Sequence, residues 1–223
     1  MAGSTSESHG SSHAAALLAL CFIVACPGLV TARQSAAESV TPAIEACSHP
    51  PKALIVLRHA CKATRCEASL LNDVGEQQAR DLALDLADQG VDAIFVTTSE
   101  RTQQTAAVLA SEIGQSVDCR IADASRRCLD DSPAGIDGLL EEVCSGRYAD
   151  QVVLHIGHFH TLPALFRKLG LRDPRSYLSA KPWKISFDGE EGPTYHELPL
   201  EYTTPLGSND CGTTACGASS GDG

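Results

Sequence analysis

Three short apolar runs set the narrowest limits on what this chain can fold into. ALIVL at 53–57, VDAIFVTT at 91–98 and QVVLHI at 151–156 are continuous enough to fill buried, central strands of a parallel sheet. Each is followed by a stretch of helical periodicity, at 70–87, 99–113 and 162–169, and each helix meets a glycine stop at Gly90, Gly114 or Gly170. Asn72 or Asp73 is placed to cap the first of these helices. A short strand at 117–121, a short helix near 136–144 and an edge strand within 183–201 complete the reading, with a polar loop at 122–138. Regular alternation of strand and helix predicts an α/β fold with an open, mainly parallel sheet and helices on both faces.

The ends read differently from the middle. Residues 1–32 resemble a targeting segment, either a signal peptide or an N-terminal anchor. Ala14 to Val30 is apolar apart from Cys, Gly and Pro, and Val30-Thr31-Ala32 offers a small-residue cleavage site. The stretch before it holds Glu7 and no Lys or Arg, and Ile23-Val24-Ala25-Cys26 offers lipid attachment through Cys26 as an alternative to cleavage. Residues 33–51 read as an exposed leader, 52–203 as the folded domain and 204–223, rich in Gly, Ser, Thr and Asp, as a flexible tail. These features predict an exported protein, periplasmic or secreted. Removing Cys21 and Cys26 with the targeting segment leaves an even number of cysteines, which in an exported chain suggests disulfides. Cys61 with Cys66 and Cys211 with Cys216 are the evident local pairs.

The net charge of −11 argues against a nucleic-acid or anionic-membrane partner, since both are held by clusters of Lys and Arg. Any basic site must therefore be local. Arg58-His59, Ser99-Glu100-Arg101 and Gly157-His158 follow the three predicted strands, and ligands of open parallel sheets sit at the carboxyl ends of strands. Two Arg and two His converging there suit a phosphoryl group, because guanidinium grips phosphate oxygens bidentately and imidazole donates or attacks.

Four ordered motifs carry a resemblance. Leu57-Arg58-His59-Ala60, LNDVGEQQA at 71–79, SERTQQTA at 99–106 and IGHFHTLP at 156–163 resemble those of the histidine phosphatase superfamily, also called phosphoglycerate mutase-like, in its small RHA-type bacterial form. The resemblance implies a three-layer α/β sandwich over the 52–203 domain. It implies His59 as the phosphorylated histidine, Arg58 and Arg101 as phosphate ligands, His158 as the second histidine of the pocket, and no metal or other cofactor. Ala60 stands where most members have Gly, and Phe159 excludes the Asp that one branch carries after the second histidine.

The proton donor has no motif. Asp123, Asp130, Asp131, Glu141 and Glu142 are available, and Asp130 or Asp131 is the candidate, with Asp130 taken first. Lys62 and Arg65 after the nucleophile, and His160 after the second histidine, are expected to touch the substrate; His155 is expected to be structural. The cluster His155, His158 and His160 also permits a metal site, although no carboxylate stands at ligand spacing from it.

The leading expectation is a phosphatase acting on a small phosphomonoester. A protein phosphohistidine phosphatase and an inactive module that only holds a phosphate ligand are the alternatives.

Overall fold

The computed structural model describes residues 47, 49–65, 69–114, 117–118, 130–190, 192–207 and 209–212. Its elements run β1 (Ala53–Arg58), α1 (Asp73–Leu86), β2 (Val91–Val96), α2 (Glu100–Ile113), β3 (Val117–Asp118), α3 (Gly135–Val143), β4 (Val152–Gly157), α4 (Leu162–Lys168), β5 (Pro182–Ser186) and β6 (Thr194–Glu197). The strands form one six-stranded sheet in the order β3-β2-β4-β1-β5-β6. β3, β2, β4 and β1 are mutually parallel, and β5 and β6 add on antiparallel.

Every residue of β1 and β4 is buried, as unbroken apolar runs require when both faces of a strand are covered. One face carries Leu54, Val56, Phe95 and Val153 against Ile136 and Leu139 of α3 and Leu165 and Phe166 of α4. The other carries Ile55, Leu57, Ile94 and Leu154 against Leu82 and Leu86 of α1 and Leu109 of α2. The α/β fold, with a parallel centre and helices on both faces, is thus borne out as three layers. Each fully buried Leu, Ile or Phe contributes about 1.5–3 kcal/mol to the sandwich.

Local signals account for the helix ends. The Asn72 side chain accepts from Gly75 N at 2.9 Å and so caps α1, and α2 stops at Gly114, whose φ of 71° is a left-handed conformation suited to glycine.

Four expectations need correction. The 183–201 region is a hairpin rather than one edge strand, and β5 lies inside the sheet beside β1. The leader is fastened to the fold at its end, because Cys47 is disulfide-bonded to Cys144 and His49 bridges Ser145. The segment after 203 is built into the domain as far as residue 212: Leu206 pairs with Ser179, and Cys211 is bonded to Cys61. Cys61 therefore pairs across 150 residues and not with Cys66. Spacing favoured the short loop, but sheet topology brings the two distant segments together. Cys66, Cys119, Cys128, Cys216 and the targeting segment lie outside the described residues, as does the 122–129 part of the polar loop. Among the described residues, no helix is long and apolar enough to cross a membrane.

Candidate functional site

The sheet register assembles the site. Arg58 at the end of β1 is paired with Gly157 at the end of β4, so the next residues, His59 and His158, emerge side by side. His59 N donates to Gly157 O at 3.1 Å, and the two imidazole centroids are 5.2 Å apart. From this point β1 leads to α1 on one face, whereas β4 leads to α4 on the other. Adjacent strands whose connections leave to opposite faces open a crevice at their carboxyl ends, the usual ligand seat of such sheets.

His59 is held in one tautomer. Its Nδ1 lies 2.8 Å from Ala60 O, and since a carbonyl only accepts, Nδ1 carries the proton and Nε2 keeps its lone pair. Burial pushes the ring's proton affinity well below the ordinary imidazole value of 6.5; the Ala60 carbonyl opposes this, and the charges of Arg58, His158 and Arg101 reinforce it. The ring is therefore neutral at physiological pH. Ala60 is fixed in turn by its N–H donating to Thr105 Oγ1 at 3.1 Å, and Cys61 by Gln78 Oε1 at 3.0 Å. Both helices on this face thus brace the turn carrying the nucleophile candidate.

The cations are ordered from separate elements. Arg58 donates from a terminal nitrogen to Tyr177 O at 3.1 Å, with its guanidinium carbon 5.8 Å from the Phe159 ring centre. Arg101 enters from the first turn of α2 and donates to His158 Nδ1 at 3.2 Å. Arginine never accepts, so Nδ1 of His158 is the acceptor and Nε2 bears the proton, which faces Asp131 Oδ1 at 2.7 Å. Burial lowers the proton affinity of His158 and outweighs the opposing pull of Asp131. The carboxyl of Asp131 would be raised by burial, but hydrogen bonds from His158 and Thr97 dominate and lower it to about 2.

Of the residues singled out from sequence, Arg58, His59, Arg101 and His158 converge, all of them buried. Lys62 and Arg65 line an adjoining pocket of about 290 Å³ together with Arg58 and His59. His160 stacks on His158 at 5.1 Å between centroids, and its Nε2 donates to Asp131 O at 2.9 Å. The structure does not bring Asp130 in: it is exposed, its carboxylate accepts from Ser132 Oγ, and the next residue, Asp131, reaches the site instead. Sequence reading missed Phe159, Ser179 and Asn209 as pocket walls, and Thr97 as a second partner of His158 Nε2 at 3.0 Å. Nothing in their local patterns marks them, since only the tertiary fold brings 179 and 209 to this edge. Among the described residues, no group of three or more His, Cys, Asp or Glu is arranged to hold a metal.

His155 lies beneath the site in β4, fully buried beside the backbone of Phe95 on β2. Burial, with the nearby His158, lowers its proton affinity to about 4, against a smaller opposing pull from the Phe95 backbone. The unfolded chain protonates this residue below the ordinary value of 6.5 while the folded chain resists until about 4, so stability falls as pH drops through that window. The loss attributable to His155 amounts to about 3 kcal/mol. Thermal melts at several pH values check this: His155→Gln is expected to flatten the decline between neutral pH and the acid end of the window, and an unaltered slope would contradict the assignment.

Comparison with known proteins agrees with this geometry. The sequence model of the histidine phosphatase superfamily (branch 1) matches residues 54–124, bearing out the resemblance carried by the motifs. No curated protein sequence matches the chain. Among solved structures, a mycobacterial glucosyl-3-phosphoglycerate phosphatase is similar at a TM-score of 0.50 and 16% identity, the match covering 69% of this chain and 99% of that one. A phosphoserine phosphatase from Entamoeba histolytica is similar at a TM-score of 0.50 and 15% identity, covering 68% and 99% respectively. At such identities these likenesses establish the shared fold.

Proposed function

We propose that this chain, a member of the histidine phosphatase superfamily, is an exported phosphatase that hydrolyses a small phosphomonoester through a phosphohistidine on His59. The observation that carries the reading is the tautomer of His59: Nδ1 is committed to Ala60 O, which leaves a neutral, nucleophilic Nε2 among Arg58, Arg101 and His158.

In the first step Nε2 of His59 attacks phosphorus, the P–N bond forms and the P–O bond to the alcohol breaks. Charge on the transferring oxygens is met by Arg58, Arg101 and the Nε2–H of His158, and this electrostatic support does most of the catalytic work. Water then attacks the phosphohistidine and releases phosphate, restoring the neutral ring. No step requires a metal, so activity is expected to persist in EDTA.

The departing alkoxide needs a proton, and Asp131 is the best-placed donor. In the free site it is a carboxylate held by His158. A bound phosphate dianion brings like charge beside it and competes for His158 and Arg101, and both effects raise its proton affinity. Asp131→Asn is expected to lower kcat about 10²–10³-fold on an alkyl phosphate, while p-nitrophenyl phosphate, whose leaving group scarcely needs a proton, loses less than about tenfold. Steady-state kinetics on both substrates check this, and equal losses would assign Asp131 a different role.

Export rests on the apolar segment near the N-terminus and on the disulfides Cys47–Cys144 and Cys61–Cys211, bonds that persist in oxidising compartments. Detecting the protein in periplasmic or culture fractions with residues 1–32 removed supports it. Retention in the cytoplasm with free thiols contradicts it.

A further inference from the structure

We propose that Arg65, held by Asn209, recognises a second anionic group on the alcohol side of the substrate, so that the preferred phosphomonoesters carry a carboxylate or a second phosphate. The inference rests on the phosphatase reading and deepens it.

A phosphoryl group at Arg58 and His59 takes the inner end of the roughly 290 Å³ pocket, leaving the outer part for the alcohol. That outer wall carries Lys62 and Arg65, and none of the described residues lining the pocket is acidic. In a chain of net charge −11, two further cations beyond those needed for one phosphate are a local reversal of sign. An anionic substituent there gains charge-assisted hydrogen bonds, and guanidinium adds a planar fork suited to a carboxylate or a phosphate.

The wall is ordered before substrate arrives. Arg65 donates to Asn209 Oδ1 at 3.4 Å, and Asn209 stands two residues before Cys211, whose disulfide partner Cys61 follows the nucleophile's own turn. Asn72 Nδ2 donates to Cys211 O at 2.7 Å, tying the same segment to the start of α1. Asn209 is a positioning residue in this scheme: its amide oxygen orients the guanidinium without adding a charge of its own. Ordering the cation in advance lowers the entropic cost of binding.

The test uses the full disulfide-bonded protein and three esters sharing a three-carbon chain: propyl phosphate, 3-phosphooxypropanoate and propane-1,3-diyl bisphosphate. Phosphate release gives kcat and KM for each. At least one anionic ester is expected to exceed propyl phosphate in kcat/KM by about tenfold, mainly through KM, with the advantage shrinking as salt is added. Whichever ester shows the larger ratio identifies the second group as carboxylate or phosphate. Arg65→Gln is expected to collapse the ratio toward about twofold, Asn209→Ala to reduce it partly, and Arg65→Lys to retain part of it. Equal kcat/KM for all three esters in an active enzyme overturns the inference alone, as does a preference that survives Arg65→Gln. Failure of the folded enzyme to turn over any of the three or p-nitrophenyl phosphate overturns the phosphatase reading and the inference with it.

Discussion

Replacing His59 with Ala is expected to lower kcat/KM on p-nitrophenyl phosphate by about 10⁴-fold or more, with the fold retained. The size follows from what is removed. The remaining cations still bind phosphate and stabilise its charge, but water must then attack directly, and loss of an attacking group is among the costliest single changes to an active site. His59 lies 2% exposed between the ends of β1 and β4, so truncation opens a small void beside a well-packed sheet. Circular dichroism and thermal melting are expected to show a folded protein. Near-normal turnover in that protein would remove His59 from the chemistry.

The largest effect on stability is expected from Gly75→Ala. In an ordinary helix interior this change stabilises by up to about 1 kcal/mol, because glycine is a poor helix former. Here a Cβ would lie 1.9 Å from Cys61 O and 2.8 Å from its carbonyl carbon, so α1 and the turn after His59 approach too closely for any side chain. The obstacle is backbone, and Cys61 cannot retreat easily, because Asn72 N and Gln78 hold its carbonyl and amide while its sulfur is bonded to Cys211. The expected loss is about 3 kcal/mol or more, read as a lower urea midpoint. Activity is expected to fall as well, since displacing Cys61 disturbs Ala60 O, which fixes the His59 tautomer. A variant as stable as the parent would contradict the close approach.

The parallel centre of the fold was legible because it is written in period and burial. ALIVL has no polar residue to turn toward water and QVVLHI carries an apolar stretch from Val152 to Leu154, which favours strands covered on both faces, and glycines mark the helix ends. The convergence of Arg58, His59, Arg101 and His158 follows from the same pattern, since the carboxyl ends of parallel strands must share one edge of the sheet. The outer pocket was not legible. Asn209 and Cys211 sit in a stretch whose Gly, Ser and Asp content reads as tail, and a disulfide spanning 150 residues has no local signature. The choice between Asp130 and Asp131 likewise turns on the direction of two neighbouring side chains in an irregular loop, which no periodicity specifies.

The central claim is that the phosphoryl group passes through His59, and trapping that intermediate tests it most directly. The enzyme would be mixed with p-nitrophenyl phosphate, quenched in alkali during turnover, digested and mapped by mass spectrometry. The account predicts one phosphoryl group on the peptide containing His59, stable to base, lost on brief acid treatment and absent from His59→Ala. Turnover accompanied by a phosphoryl group on a different residue, or by none at all under these conditions, would contradict it.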